Sequence, residues 1–193
     1  MFNLPLPLVL GSSSPFRKAL LEKLALPFDT FSPDIDESRL TDESAEALVT
    51  RLSLAKARAV AEQFPAHLII GSDQLAVLPD GSILGKPGNR EGAISQLTRQ
   101  SGSRVTFLTG LCLLNSQTCD YQLSLEPFHV HFRTLTEDEI AWYVDLEKPF
   151  NSAGSFKSEG AGITLFRKLE GDDPNILVGL PLIRLTEFLK NSE

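Results

Sequence analysis

The sequence predicts a mixed α/β fold, and two observations lead to that prediction. In the first half, apolar runs alternate with helical patterns, and the run at 6–11 leads directly into a helix that starts at Pro15. This alternation favours strands that pair in parallel. In the middle of the chain, 105–114 and 122–133 are long strand patterns in succession. Consecutive strands favour an antiparallel portion, so we expect one mixed sheet.

The elements of the first half follow from local signals. Ser14 is a good helix N-cap and Pro15 suits a first helical turn, so a helix is predicted over 15–24. A second, long helix is predicted to open within 41–44, because apolar residues recur at helical spacing as far as Ala59. The predicted strands of this half are 6–11, 28–31 and 68–71.

The second half contains two helices with clear starts and a helical tail. Asp80-Gly81 first signals a hairpin turn, and a helix over 89–100 follows. Thr136 begins a capping-box pattern, which places a helix over 136–146. The remaining predictions are the two long strands named above, a polar and glycine-rich segment at 151–162, a short strand at 163–166 and a helix at 180–189.

Length, charge and cysteine content limit the class of protein. The chain has 193 residues, of which 42% are hydrophobic, and this is enough for one well-buried domain. Its formal net charge of -7 argues against duplex nucleic acid and anionic membranes as partners. The two cysteines, Cys112 and Cys119, form no disulfide framework, and neither a signal peptide nor a membrane span is evident. We therefore expect a soluble, cytoplasmic protein.

The segment after the first predicted strand has the features of an anion site. Residues 11–18 combine three serine hydroxyls with the cationic pair Arg17 and Lys18 at a helix start. A helix N-terminus leaves backbone N–H groups free and carries partial positive charge, which suits a phosphate. An ordinary capped helix with a solvated Arg-Lys pair has the same features, so this segment alone leaves both interpretations open.

Three further residues stand where ligands are often bound. Asp73 follows the predicted buried strand 68–71, and an aspartate at that end of a strand can hold a divalent metal or activate a water. Glu37 lies in an acidic loop that can supply oxygen ligands, and Lys86 lies in a Gly-Lys-Pro loop where it can neutralise phosphate charge. Each has an ordinary alternative, as a turn cap or as a solvated loop residue.

Two familiar motifs for nucleotides and metals do not occur in the sequence. The pattern Gly-x-x-x-x-Gly-Lys-Ser/Thr is missing, so Lys86 does not belong to a P-loop. His129 and His131 share one face of a predicted strand, but their spacing to the two cysteines matches no zinc pattern. We therefore interpret the two histidines as sheet residues.

Ordered motifs along almost the whole chain resemble one protein family. They are GSSSPFRKALL at 11–21, DIDE at 34–37, LAKA at 54–57, GSDQ at 71–74, GKP at 85–87, AGSFKSEG at 153–160 and NILVGLP at 175–181. This series resembles the Maf family of nucleoside triphosphate pyrophosphatases, also called septum formation inhibitor proteins. The resemblance implies a single Maf-like nucleotide pyrophosphatase domain over 1–193. It also implies an α/β fold with a mixed sheet in two lobes around a central cleft, similar to inosine triphosphate pyrophosphatases.

The same resemblance implies an activity and a set of site residues. The reaction is hydrolysis between the α- and β-phosphates of a nucleoside triphosphate, which yields a monophosphate and pyrophosphate and requires a divalent metal cation, Mg²⁺ or Mn²⁺. Family roles carry over to Asp73 as proton acceptor, Lys56 and Lys86 as catalytic lysines, Ser12, Arg17 and Lys18 as substrate-binding residues, and Glu37 and Asp73 as metal ligands. Lys18 stands where the family often has arginine, and it lacks the two-pronged contact of a guanidinium. Whether Asp73 acts as base, as metal ligand or as both stays open.

Three positions bear on which nucleotide is hydrolysed. The family branch that acts on pyrimidine triphosphates has Arg, Thr and Gln at the positions of Phe16, Gln74 and Glu159, whereas the 7-methyl-GTP branch has an aromatic residue, Gln and Glu. This chain resembles the second branch, with phenylalanine where tryptophan is usual. The physics agrees, because the methylated base is cationic and gains energy over an aromatic face, and a carboxylate accepts its N–H groups.

We therefore expect 7-methyl-GTP to be the preferred substrate, in an enzyme that removes modified nucleotides. Two alternatives stay open, which are a dTTP/UTP pyrophosphatase of the same family and a nucleotide-binding regulator of cell division and septum formation. The nucleoside triphosphate is the expected partner, nucleic acid and membranes are not expected, and a homodimer is left open.

Overall fold

The computed structural model describes residues 2–193, which form six α-helices and seven β-strands. The strands are β1 (Leu8–Gly11), β2 (Phe28–Phe31), β3 (Leu68–Val77), β4 (Ile83–Leu84), β5 (Arg104–Asn115), β6 (Tyr121–Phe132) and β7 (Phe166–Glu170). The helices are α1 (Pro15–Glu22), α2 (Ala45–Ala61), α3 (Arg90–Gln100), α4 (Glu137–Glu147), α5 (Asn175–Val178) and α6 (Leu182–Lys190). None of these helices is long and apolar enough to cross a membrane.

The chain divides into two compact units, and the sheet has the strand order β2-β1-β3-β5-β6-β7, with β4 paired to β3. The first unit consists of the chain up to Asp73, Thr109–Glu126 and Asp173–Glu193. The second unit consists of Gln74–Leu108 and Pro127–Asp172. The mixed sheet and the interleaved helices confirm the predicted α/β class.

The first unit is built around the parallel strands β1, β2 and β3. Leu8 of β1 lies opposite residues of both β2 and β3 in parallel register, which confirms the parallel portion of the prediction. Successive side chains of β1 point to opposite faces of the sheet. Leu10 packs with leucines of α1 and α6, whereas Val9 packs with Val60 of α2. Helices therefore cover both faces of this part of the sheet, as parallel strands require.

The second unit contains two antiparallel pairs, of which the first is the hairpin that the sequence predicts. Strand β3 returns as β4 through the turn at Asp80-Gly81, where Gly81 has a φ of +82°. Strand β6 pairs antiparallel with β7. The core of this unit contains four phenylalanine rings that meet edge to face, with centroids 4.8 to 5.7 Å apart, and these are Phe107, Phe132, Phe156 and Phe166.

Several helix starts are where the sequence places them. The side chain of Ser14 caps α1, and Pro15 occupies its first turn. At the start of α4, the Thr136 hydroxyl and the Glu139 carboxylate form a complete capping box. These caps are local interactions over three residues, which is why the sequence alone reveals them.

Three predicted boundaries are wrong. Helix α2 begins at Ala45, after the capping side chain of Ser44, and not within 41–44. Residues Ala161–Leu165 form a 3₁₀ helix, and strand β7 begins only at Phe166, which contradicts the strand predicted at 163–166.

The third error concerns the end of β3. The sequence predicts that this strand ends at Gly71, but it continues to Val77, so Asp73 lies within the strand. Gly71 is there because α2 passes very close: a Cβ on this residue would lie 2.2 Å from the Ser53 carbonyl oxygen. A glycine in a strand therefore marks a close backbone approach here and not a strand end.

Candidate active site

A buried lysine lies between two carboxylates in the first unit. Lys56 of α2 is only 8% exposed. Its Nζ atom lies 2.6 Å from Asp73 Oδ1 and 2.7 Å from Glu37 Oε1. An ammonium group away from water needs such partners, because burying an isolated charge carries a large free-energy penalty. The three side chains therefore form one charged cluster.

Helix α2 fixes Asp73 by a second contact, one turn before Lys56. The fully buried Ser53 hydroxyl accepts the backbone N–H of Asp73 at 3.0 Å and donates to the Val49 carbonyl at 2.8 Å. Main chain and side chain of Asp73 are thus both held by the same helix. Sequence reasoning did not identify Ser53, although a serine on the apolar face of a predicted helix was the available signal.

Arg17 is positioned by the loop that carries the glycine of the NILVGLP motif. Its Nε donates to the Gly179 carbonyl at 2.7 Å, and its Nη1 lies 3.4 Å from Ser12 Oγ. The Ser72 hydroxyl donates to the same Gly179 carbonyl at 3.1 Å. Gly179 has a φ of +109°, a conformation that L side chains rarely adopt. One carbonyl oxygen therefore orients two polar side chains toward one place.

Two opposite effects act on the pKa of Arg17. Burial lowers the pKa of Arg17, and the nearby carboxylates of Asp73 and Glu37 act in the opposite direction, raising it. Arginine remains protonated in proteins, so the guanidinium keeps its charge. Arg17 thus presents a positive charge that an anionic ligand can neutralise, whereas Lys56 is already paired with the two carboxylates.

Next to the helix start, the acidic loop before α2 is held by the ion pair of Arg51 and Glu43. Arg51 binds Glu43 with two hydrogen bonds, Nε to Oε1 at 2.6 Å and Nη2 to Oε2 at 2.9 Å, and Nη2 also donates to the Ser38 carbonyl at 2.9 Å. The hydrogen bonds from Arg51 lower the pKa of Glu43 to about 2. Within this loop, Asp36 instead accepts the N–H of Ser38 and closes a local turn. Glu37 is the loop carboxylate that reaches Lys56.

The remaining predicted residues are distributed over both units. Phe16 and Lys18 are exposed on α1, in the first unit, next to Arg17. Gln74 lies in β3, and Lys86 and Glu159 lie in exposed segments, all in the second unit. Direct contacts in the first unit join Ser12 to Arg17, and Lys56 to both Glu37 and Asp73. The charges of Asp73 and Glu37 also act on Arg17.

The donor set fits a divalent cation that is shared with a substrate. Among residues 2–193 there is no group of three or more His, Cys, Asp and Glu side chains that could hold a metal ion alone. Glu37 and Asp73 nevertheless converge on one cationic atom, Lys56 Nζ. Magnesium typically binds one or two carboxylates and completes its shell with water and substrate phosphates. Two converging carboxylates beside Arg17 match that mode.

The two strand histidines have other partners. His129 Nδ1 lies 3.0 Å from the Thr106 hydroxyl, and His131 Nε2 lies 3.1 Å from Glu170 Oε2. Burial is the main cause that lowers the pKa of His129, with a smaller contribution from Arg104. Both side chains therefore serve contacts of the sheet.

Comparison with known proteins first defines the class of fold. A HAM1 protein from Coxiella burnetii has a similar structure, with a TM-score of 0.52 and 15% sequence identity, over 80% of this chain and 88% of that chain. This likeness shows a shared α/β fold, which confirms the predicted fold class.

The family follows from the sequence comparison. The model of the family described as Maf-like protein matches residues 7–192, and the chain belongs to this family. A relative from Alcanivorax borkumensis, named 7-methyl-GTP pyrophosphatase, is 63% identical over 94% of this chain and 92% of its own length. A relative of the same name from Pseudomonas aeruginosa is 59% identical over 94% of each chain.

Proposed function

We propose that this protein is a nucleoside triphosphate pyrophosphatase that hydrolyses 7-methyl-GTP to 7-methyl-GMP and pyrophosphate. The observation that carries the proposal is the cluster of Lys56, Asp73, Glu37 and Arg17, which combines buried cations with two converging carboxylates. Enzymes that catalyse phosphoryl chemistry mainly position the nucleophile and neutralise the charge around it. The names of the relatives at 56–63% identity support the choice of substrate.

The triphosphate is assigned to the cationic side of the cluster. Arg17, oriented by the Gly179 carbonyl, binds phosphate oxygens through the N–H groups that do not contact protein. Ser12 and the exposed Lys18 lie at the same helix start and add donors. Lys86 of the second unit is assigned to phosphate charge as well. Bound Mg²⁺ or Mn²⁺ would be held by Glu37 and Asp73 and would supply further charge neutralisation.

Asp73 is assigned as the proton acceptor. Its Oδ1 atom is engaged by Lys56, so the second carboxylate oxygen is left for the attacking water. The water oxygen bonds to phosphorus and its proton passes to the carboxylate. The anhydride bond between the α- and β-phosphates breaks, and pyrophosphate leaves with the bonding electron pair. Ser53 keeps the backbone of Asp73 fixed during this step.

The base is assigned to Phe16, Gln74 and Glu159. The Phe16 ring is 38% exposed, so a face is accessible to a cationic base. Glu159 is exposed and carries a carboxylate that can accept the ring and exocyclic N–H groups of 7-methylguanine. A pyrimidine lacks that pair of donors, and we therefore assign a lower rate to dTTP and UTP.

The proposal is tested by measuring pyrophosphate release from 7-methyl-GTP, GTP, dTTP and UTP, each with Mg²⁺, with Mn²⁺ and with a chelator. We expect 7-methyl-GTP to have the highest kcat/KM and the chelator to abolish turnover. Preference for dTTP or UTP would contradict the substrate, and Asp73→Asn with normal turnover at saturating metal would contradict the assigned base. Tight nucleotide binding without metal-dependent release of pyrophosphate would favour a regulatory protein instead.

A further inference from the structure

Helix α4 holds both ends of the short segment 157–161, in which Glu159 lies. At the first end, the backbone N–H of Lys157 donates to the Tyr143 hydroxyl at 2.9 Å, and Lys157 Nζ donates to the Glu147 carbonyl at 2.7 Å. At the second end, the backbone N–H of Ala161 donates to Glu147 Oε1 at 2.7 Å. All these residues belong to the second unit.

The fit between α4 and this segment is tight. A Cβ on Gly160 would lie 2.4 Å from Glu147 Oε1, so a side chain at this position would displace the carboxylate. The side chain of Glu147 is 17% exposed and Tyr143 is fully buried. Burial also raises the pKa of Tyr143 above its ordinary value, which favours the neutral phenol further.

The side chain of Glu159 makes few contacts with the part of the chain that the structure describes, residues 2–193. Its side chain is exposed, and its carboxylate accepts one hydrogen bond, from Ser158 Oγ at 3.3 Å. The direction of this carboxylate is therefore set by the backbone of the segment and not by packing of the side chain. What fixes that backbone is the pair of contacts with α4.

We infer that Glu147 is a positioning residue for substrate selection, because it fixes the segment that carries Glu159. This inference rests on the proposed function, in which Glu159 reads the N–H groups of the methylated base. A carboxylate that accepts two hydrogen bonds at once must be held to within about 0.5 Å of the right place. Loss of Glu147 frees the end of the segment at Ala161 and lets Glu159 move away from that geometry.

The experiment measures kcat/KM for 7-methyl-GTP and for GTP in the intact protein and in four variants. Glu147→Ala removes the acceptor for Ala161 and the carboxylate oxygen that lies 3.6 Å from Lys157 Nζ, and it keeps the backbone carbonyl that accepts from Lys157. Glu147→Gln keeps an acceptor oxygen of the same shape. Tyr143→Phe removes the contact at the other end of the segment. Glu137→Ala is the matched control, because Glu137 is an exposed glutamate on the same helix.

We expect Glu147→Ala to lower the ratio of the two kcat/KM values about tenfold. A misplacement of 1 Å costs about 100-fold in rate, and a partial displacement of Glu159 costs less. Glu147→Gln should retain most of the ratio, Tyr143→Phe should lower it less, and Glu137→Ala should leave it unchanged. Equal losses for both nucleotides, or an unchanged ratio in a folded Glu147→Ala protein, would overturn the inference. If Glu147→Ala does not fold, the ratio in Tyr143→Phe decides by the same criterion.

A parallel measurement on Glu159→Gln separates this inference from the proposed function. If that variant keeps the full preference for 7-methyl-GTP, Glu159 does not read the base, and both assignments fail. If Glu159→Gln loses the preference while Glu147→Ala and Tyr143→Phe keep it, the role of Glu159 stands and the positioning role of Glu147 is wrong.

Discussion

Lys56 and Asp73 form a buried ion pair at the centre of the site. Nζ and Oδ1 are 2.6 Å apart, and each side chain is only 11% exposed. Removing one member of such a pair leaves the other charge without a partner, which destabilises a protein by about 3–5 kcal/mol. We expect Lys56→Met to show a loss of this size in urea unfolding and to lower turnover at least ~100-fold, because a cation beside the reacting phosphates is lost.

The double variant Lys56→Met/Asp73→Asn is the matched control for that experiment. It leaves no buried charge unpaired, because the Glu37 carboxylate that also loses its partner is 58% exposed and can be solvated. Most of the lost free energy of unfolding should therefore return while turnover stays low. A double variant that is no more stable than Lys56→Met would contradict the importance of the ion pair for the fold.

The residues that we assign to the substrate were predictable from the sequence, whereas those that position them were not. Arg17, Lys56 and Asp73 belong to ordered local motifs, and their caps and helical spacing are visible within a few positions. The Gly179 carbonyl that orients Arg17 is 162 positions away in the chain, and only the folded structure shows the contact. The prediction that β3 ends at Gly71 is wrong for the same reason, because the closeness of Gly71 to α2 is a tertiary contact.

The hydrogen bond between Ser53 and the backbone of Asp73 is a positioning contact that can be tested. In Ser53→Ala, the buried N–H of Asp73 loses its acceptor, and an unsatisfied buried donor costs about 1–3 kcal/mol. We expect a lower melting temperature, by roughly 2–4 °C per kcal/mol for a chain of this size, and a fall in kcat larger than the change in KM. Ser95→Ala, on the exposed side of α3, should change neither quantity. A normal kcat in Ser53→Ala would show that Asp73 needs no such support.

Gly179 offers a test of how Arg17 is oriented. In Gly179→Ala, the new Cβ would lie 3.3 Å from Arg17 Nε at a φ of +109°, so both the backbone and the guanidinium are disturbed. Loss of a hydrogen bond to a charged group is worth about 1.5–3 kcal/mol, so we expect KM for the triphosphate to rise roughly tenfold or more. Gly81→Ala also has a positive φ, +82°, but open space around its Cβ. Gly81→Ala should lose about as much stability as Gly179→Ala but leave KM unchanged. A rise in KM in both variants would argue against a specific role of Gly179.

The pair of Glu43 and Arg51 predicts how stability depends on pH. The pKa of Glu43 is lowered from 4.5 to about 2 by its hydrogen bonds with Arg51, so the ionised form is favoured in the folded protein. Its stabilising effect is therefore complete above pH 4.5 and is lost as the pH falls toward 2. Comparison of the wild type with Glu43→Gln in urea unfolding should show a difference at pH 6 that shrinks across this window. A difference that stays constant down to low pH would contradict a role of the Glu43 charge.

Phe16 should determine how strongly a cationic base is preferred. Its ring is 38% exposed, and a contact between a cation and an aromatic face is worth about 0.5–1 kcal/mol at exposed sites, with tryptophan stronger than phenylalanine. We therefore expect Phe16→Trp to raise the ratio of kcat/KM for 7-methyl-GTP over GTP by roughly two- to fivefold, and Phe16→Ala to lower it. Phe31→Trp is a matched control, because Phe31 is 37% exposed on β2 and has no assigned contact with the base. The gain should be confined to the methylated nucleotide, since GTP carries no charge on its base. An equal gain for GTP would mean that the larger ring acts by stacking area alone, and the charge of the base would then not be what Phe16 recognises.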